Sequence, residues 1–550
     1  MKDENKDDLP QILNTGGGYT VFYKERYLYS KRVPSKQIET FIEGMEKTPK
    51  TLFLFASSPL GYGAMSFINV LPPSSFLLFV ECDSCLANLF EENILSLLPN
   101  VKNVSYVSSN NIFKIIEHIE DFTSFNFTKT VLIRGSGGYS LYEKFYISLV
   151  RLVEDVVSIH WKNRITLIEM GRLYAKNIFK NLCFISKLLE EERKRIKILK
   201  ESYVNTSILV LGAGPSLDFS YDFIKRNRNK LFLLSVDVAL PSLISMGIKP
   251  DGVVLLEGQY WVQNAFLESE CKDISLFTSI TANPRVLRLL KGDVFLYATK
   301  YAKMQFLNNL AKTFIDMPVF DSVGSVGLVA LQIAMFIAKQ EVPIFHMGLD
   351  FAYEKGFTHG KNTLPIKNLF LSNNRLNSLY KGSSIFPLKN IKCKGKNGHL
   401  IFTTPILQSY ALIYKKLFSK ASFIFDIANI GLYLSENTIC LNMAEKKINF
   451  ILNDDVVIKE KQIDDNVLKD MLEKEKLRLN EIKNMLVGKI LFDKERMAIL
   501  LKDADYLYFH FPDYVSEKTL NLDDISFLKR IRIELESFLK ILECLCVRGE

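Results

Sequence analysis

The sequence predicts an α/β protein with a Rossmann-like central domain, a second, degenerate Rossmann-like domain before it, and a helical C-terminal domain. Three observations predict this. A short apolar run, Ile208 to Leu211, breaks at Gly212-Ala213-Gly214-Pro215-Ser216 and passes into helical spacing. Two further apolar runs, Leu231–Val236 and Val253–Leu256, each end in an acid, Asp237 and Glu257. Earlier, Leu52–Ala56 and Phe76–Val80 repeat the order of strand, turn, strand and acid, with Ser58-Pro59-Leu60-Gly61-Tyr62-Gly63 as the turn and Glu81 as the acid.

A chain of 550 residues is too long for one core. The expected division is an N-terminal domain over 1–137, a helical connector over 138–204, the central domain over 205–445, and a helical domain over 446–550. Hydrophobic content of 48% suffices for several cores, and the net charge of +9 is spread over many lysines. That charge permits an anionic ligand but is a poor argument for nucleic acid, and none is expected as a partner. Eight cysteines in so long a chain make no disulfide framework. Cys82-Asp83-Ser84-Cys85 lacks the second pair that a zinc site requires, so no metal is expected and the thiols are read as reduced. MKDENKDDLP carries no apolar leader core, and the longest apolar stretch, around Val326–Ala338, is too short for a bilayer. The expected location is cytoplasmic, with no membrane span.

Within the first domain, Tyr19–Tyr23 and Arg26–Tyr29 read as short strands and Ser35–Lys47 as a helix. Ser57, Ser58 and Pro59 stand where a methyl-donor site would want glycine, so the domain is read as structural. Val150, Val153 and Val157 recur at helical spacing, and Glu190–Lys200 reads as the charged end of a solvated connecting helix. In the last domain helical spacing returns at Leu468, Met471 and Leu472, and at Ile525, Leu528, Ile531 and Leu535.

The central turn admits two readings. Gly212 and Gly214 permit close approaches, and Pro215 suits a first helical position. Backbone N–H groups at a helix N-terminus would then face a phosphate. Leu217 occupies the third glycine position of a dinucleotide fingerprint, so a merely tight turn between strand and helix is the alternative. Asp237 sits where a Rossmann sheet carries its ribose-binding acid. A second site segment is Asp321–His359. Gly324-Ser325-Val326-Gly327 opens an apolar helix, either as a second anion or ribose contact or as a plain capped core helix. The strand Val342–Met347 ends at Gly348-Leu349-Asp350, and the next loop delivers Tyr353, Thr358 and His359. Imidazole titrates near neutrality, so His359 is either a base for an alcohol nucleophile or a surface residue. His346 lies within a strand and reads as a core or cleft-edge side chain.

GAGPSLD at 212–218, GIKPD at 247–251, GSVG at 324–327 and GLDFAY…TH at 348–359 resemble the Maf proteins, motility-associated glycosyltransferases with an MptE-like central domain. TVFYKERYLYSKRVPSKQIE at 20–39, GKNGHLIFTT at 395–404 and NIGLYL at 429–434 extend the likeness. The resemblance implies a central domain like that of bacterial sialyltransferases. It implies transfer of a nonulosonic acid (sialic, pseudaminic or legionaminic type) from a CMP-activated donor to Ser or Thr of flagellin, without a cofactor. On that footing Gly212, Gly214, Pro215 and Ser216 hold the CMP phosphate, Asp237 lies near ribose or base, and Glu257, where some relatives carry Asp, reaches the ligand with its longer side chain. Gly324 and Ser325 lie near the nucleotide, Tyr353 near the leaving phosphate with Asp350 beside it, and His359 is the base. Two alternatives are an MptE-like pyrophosphokinase using ATP and Mg²⁺, and a non-catalytic flagellar accessory protein.

Overall fold

The computed structural model describes residues 9–98, 102–120, 122, 127–201, 204–267, 273–300, 304–313, 317–354, 356–376, 390–396, 398–448, 458–512 and 520–543. The chain divides into two compact units, one of Met1–Thr166 with Pro512–Lys518 and one of Leu167–Phe511 with Thr519–Glu550. The helix Glu143–Ser186 carries the chain from the first into the second.

In the first unit β1 (Gln11–Asn14), β2 (Tyr19–Tyr23) and β3 (Arg26–Tyr27) form an antiparallel meander. Four strands, β4 (Thr51–Ala56), β5 (Phe76–Glu81), β6 (Val104–Ser108) and β7 (Lys129–Arg134), form a parallel sheet in the order β6-β5-β4-β7. TLFLFA and FLLFVE are apolar throughout because both faces of β4 and β5 are covered. Phe53, Phe55 and Phe79 fill one side, and Leu52, Leu54 and Leu78 the other. Glycines of the 57–63 turn face protein: a Cβ on Gly61 would meet Ile94, and one on Gly63 would meet Ile38 and Ile42. Glu81 accepts the amides of Cys82 and Asp83 at 2.9 and 3.2 Å, and burial pushes its carboxyl up to about 7. Asp83 caps the helix Ser84–Asn93, and burial pushes the Cys82 thiol up to about 12.

The second unit is built on a ten-stranded sheet. Its strands are β8 (Ile196–Leu199), β9 (Ser207–Leu211), β10 (Leu231–Val236), β11 (Gly252–Leu255), β12 (Ser275–Ser279), β13 (Val294–Lys300), β14 (Val319–Asp321) and β15 (Ile344–Met347), then β18 (Ile424–Asp426) and β19 (Glu460–Gln462). A separate hairpin pairs β16 (Ile391–Lys394) with β17 (Leu400–Thr403). The sheet runs β18-β15-β9-β10-β11-β12-β13-β8-β19, with β14 beside β13. Only the β8–β19 pairing is antiparallel. Successive crossovers place β10 to β13 on one side of β9, and β15 and β18 on the other. The helix Val326–Ile337, apolar but for Gln332, is buried along most of its length and packs on β9, β10 and β11.

One expectation is corrected here. Glu190–Lys200 does not end a solvated helix. After one short turn, Glu190–Arg193, the chain enters β8, where Ile196, Ile198 and Leu199 are buried. Lys197 between them points to Asp293 and Glu460 at 3.1 and 2.6 Å, so the alternation inside the charged run is that of a strand. Residues beyond 446 contribute β19 and three helices, Asp465–Leu486, Lys494–Asp503 and Ile525–Glu543, to this same unit. Phe179, Phe306, Tyr506 and Phe538 meet there, with ring centroids 4.8–5.3 Å apart. Among the described residues no helix is long and apolar enough to cross a membrane.

Candidate functional site

In a parallel sheet the carboxyl ends of the strands share one edge, and a crevice opens where successive crossovers diverge. In the second unit that point lies between β9 and β15. The turn after β9 and the segment after β15 meet there backbone to backbone. Gly212 N–H donates to Met347 O at 2.8 Å and Gly214 N–H to Gly348 O at 2.8 Å. A Cβ on Gly212 would lie 2.2 Å from Gly348 O, and one on Gly214 2.5 Å from Asp350 Oδ2. The glycines of GAGPS are therefore required by the packing of the turn on GLD.

Ser216 and Asp350 close this joint. Ser216 N–H donates to Asp350 Oδ2 at 2.8 Å, and Ser216 Oγ accepts Gly348 N–H at 2.7 Å. Both side chains are buried. Burial pushes the Asp350 carboxyl up to about 6, opposed by Ser216 and by the positive charge of Lys396. The helix expected to start at Pro215 is a 3₁₀ turn, Pro215–Phe219, followed by the seven-residue helix Tyr221–Asn227. The i to i+3 bonds Leu217 N–H to Gly214 O and Ser220 N–H to Leu217 O, each 3.0 Å, tighten the chain there. The expected helix N-terminus behind this turn is thus the start of a 3₁₀ turn rather than of an α-helix.

The loop after β15 folds back over the turn. Tyr353 exchanges both backbone hydrogen bonds with Phe402 of β17 at 2.8 Å, and its hydroxyl donates to Asn390 Oδ1. Beyond it, Gly360 N–H donates to Ala213 O at 3.0 Å and Lys361 N–H to Asp218 Oδ1 at 2.8 Å. Gly360 is thus pressed against the turn, where a Cβ would meet Asp218 and Gly214 at 3.1 and 3.3 Å. His359, the preceding residue, is half-buried with Nδ1 3.1 Å from Thr358 Oγ1. Burial lowers its pKa below the ordinary histidine value, which leaves a neutral imidazole at neutral pH.

The other predicted residues line the same edge. Gly327 and Gly212 both lie against Leu349, where a Cβ on either would come within 2.6 Å of Leu349 Cδ2, so GSVG joins the two segments already described. Ser325 caps the helix Val326–Ile337 by position, but its side chain makes no capping bond. Gly324 has φ of 68° and packs against Tyr410. At the end of β10, Asp237 is 1% exposed, and its Oδ1 accepts Val238 N–H at 2.8 Å. Its Oδ2 has no hydrogen-bond partner among the described residues. Burial, and secondarily the charge of Glu257, push this carboxyl up to about 7. Glu257 is half-buried at the end of β11 and accepts Gln259 N–H at 2.9 Å.

Reading motifs alone missed two groups. Lys396 forms a buried ion pair with Asp426 at the end of β18, Nζ to Oδ2 2.6 Å, and donates to Ala428 O at 3.1 Å. In the sequence it lies within the GKNGHLIFTT stretch at 395–404, where nothing singled it out. Asn177 and Asn181 reach the same edge from the long helix, with no motif around them. His346 is a core residue, its Nε2 2.7 Å from the Tyr414 hydroxyl and its pKa lowered to about 4 by burial. A cleft of about 510 Å³ opens at the opposite, amino edge of the sheet. Its acids are matched by bases, Asp251 with Arg228 at 2.8 Å and Asp293 with Lys197 at 3.1 Å, and of the motif residues only Lys249, Pro250 and Asp251 of GIKPD line it.

The crevice is that of an open parallel α/β protein with a polar, partly buried carboxyl edge. Residues 176–356 match the family model described as 6-hydroxymethylpterin diphosphokinase MptE-like. An uncharacterized protein of Treponema pallidum (strain Nichols) is 33% identical over 552 residues, spanning 97% of this chain and 95% of that protein. The solved Maf glycosyltransferase of Magnetospirillum magneticum AMB-1 has the same fold, with a TM-score of 0.52 at 15% identity over 98% of this chain and 92% of that one. Residues 176–356 thus form an MptE-like domain, the whole chain belongs to one family with the Treponema protein, and its fold is that of the Maf glycosyltransferase.

Proposed function

We propose that this protein is a glycosyltransferase that moves a nonulosonic-acid-type sugar from a CMP-activated donor to a Ser or Thr hydroxyl of flagellin in the cytoplasm. The observation that carries the reading is the Gly360–Ala213 hydrogen bond, which sets the His359 loop on the glycine turn at the switch point. The shared fold with a Maf glycosyltransferase supports it. In this reading the acceptor hydroxyl gives its proton to the neutral His359 imidazole while its oxygen bonds the anomeric carbon. The bond from that carbon to the phosphate oxygen breaks, and CMP leaves with the electron pair. Burial keeps His359 unprotonated for this step.

The donor's placement follows from which groups remain available. Ser216 and Asp350 Oδ2 are spent on each other and fix the turn, while Asp350 Oδ1, buried and without a hydrogen-bond partner among the described residues, remains available to the donor. Asp237 Oδ2, buried and unpartnered, would take a ribose hydroxyl or a base N–H, with Glu257 beside it. Ser325, with its hydroxyl unused in capping, would face the nucleotide from the β15 side. Tyr353 holds the hairpin β16–β17 over the loop, near the leaving phosphate.

A second reading is favoured by the family description and by the paired acids Asp237 and Glu257: a pyrophosphokinase would hold Mg²⁺ and ATP there. Calorimetry with CMP, CDP and ATP, with and without Mg²⁺, separates the two. The glycosyltransferase reading predicts metal-independent CMP binding. Binding of ATP only with Mg²⁺, and none of CMP, would replace it by the second.

A further inference from the structure

The carboxyl edge of β11 and β12 is suspended from a helix by two side chains. Asn177 and Asn181 lie four residues apart, hence on one face of Glu143–Ser186, and each is 2% exposed. Asn177 Nδ2 donates to Gly258 O at 3.0 Å and to Thr281 O at 3.1 Å. Asn181 Nδ2 donates to Ile280 O at 2.9 Å and to Ala282 O at 3.0 Å. Each amide therefore spends both N–H groups on loop carbonyls. The two loops are also tied to each other, because Asn283 N–H donates to Glu257 O at 3.0 Å. Contact is close: a Cβ on Gly258 would lie 3.1 Å from Tyr174 and 3.2 Å from Asn177 Nδ2.

A helix that only had to cover a sheet would put Leu or Ala at these positions, since a buried amide costs free energy unless every donor is satisfied. Here the donors are directed at the loops that follow β11 and β12, which carry Glu257 next to Asp237. We propose that Asn177 and Asn181 are positioning residues that fix the β11 and β12 loops, and with them Glu257, for a nucleotide bound at the carboxyl edge. The proposal rests on the reading of that edge as a CMP site. It adds the long helix as the part that holds one wall of the site in place.

Trp261 gives a report on the loop that needs no ligand. Its Nε1 donates to Gln259 Oε1 at 2.6 Å, two residues beyond Glu257. The chain has two tryptophans, so full-length protein carrying Trp161→Phe leaves Trp261 as the single emitter. In that background Asn177→Ala and Asn181→Ala are compared by acrylamide quenching of Trp261 and by calorimetric titration with CMP. Folded variants should show Trp261 more accessible to quencher and CMP binding weaker by about tenfold or more, the scale on which supporting partners act at preorganised sites. Unchanged quenching and unchanged CMP affinity in either folded variant would overturn the proposal. So would failure of both variants to fold, which would make the asparagines structural residues of the unit. So would altered quenching with normal CMP affinity, which would sever the loops from the site. If the parent protein binds no CMP, the CMP reading falls by itself, and the Trp261 response alone decides whether the asparagines set the loops.

Discussion

At the residue scale the carboxyl edge holds groups whose protonation burial has moved. His359 is expected to act in turnover: His359→Ala should slow sugar transfer by about 10²- to 10⁴-fold, the usual contribution of a general base. Its lowered pKa places the acid limb of the rate profile below the ordinary value of 6.5, with transfer rising as the imidazole loses its proton and flat above. A rate that fell with rising pH across that limb would make it an acid instead. Asp237 should dominate a different profile. Its carboxyl is protonated in the folded protein up to about pH 7, whereas in the unfolded chain it ionises near its ordinary 3.8. Between those values the native state binds the extra proton, so its contribution to stability falls as pH rises and levels off above about 7. Asp237→Asn should remove that slope, gaining thermal stability over wild type at pH 8 and little at pH 4. Melting curves of both proteins across that range check it.

At the scale of elements, the joint between the β9 turn and the β15 segment favours the tight-turn reading of its glycines over the ligand-facing one. A glycine turn entering a helix suggests a ligand approaching the backbone, and nothing in GAGPS alone reveals that Gly348 and Asp350 occupy that space. Gly214→Ala should therefore destabilise by about 1–3 kcal/mol, the cost of overpacking, because the new Cβ strikes Asp350 and Gly348 O. A melting curve unchanged from wild type would return the glycine to the ligand. Ser216→Ala should cost a similar ~1–3 kcal/mol, as Gly348 N–H loses its buried acceptor and Asp350 loses the hydroxyl beside it. The strands β4, β5, β9, β10, β11 and β15 were legible because each is a short apolar run ending in a turn or an acid. β8 was hidden by Lys197 and the charged residues around it, and β19, EKQ, has no apolar residue to announce it. His359 was legible as a candidate base, but its place over the glycine turn is set by backbone bonds from Gly360 and Lys361 that no spacing encodes.

At the scale of the molecule, the C-terminal helices and the large sheet share one unit, joined by specific bonds. Asp505 accepts the amides of Gln305 and Phe306, capping the helix Gln305–Thr313 from two hundred residues away. β19 completes the sheet beside β8. A chain cut at residue 445 should accordingly fail to give a cooperative melting transition for the larger unit, and circular dichroism with heating would show it. The central claim is that this unit joins a CMP-activated sugar to a protein hydroxyl with His359 as base. Its most direct test is the intact mass of flagellin after incubation with full-length protein and a CMP-activated nonulosonic acid, run beside His359→Ala. A gain of one or more sugar masses with wild type, and a rate lower by about 10²- to 10⁴-fold with the variant, is the predicted result. Equal gain with both proteins would remove His359 from the reaction, and no gain with wild type would contradict the proposed transfer itself.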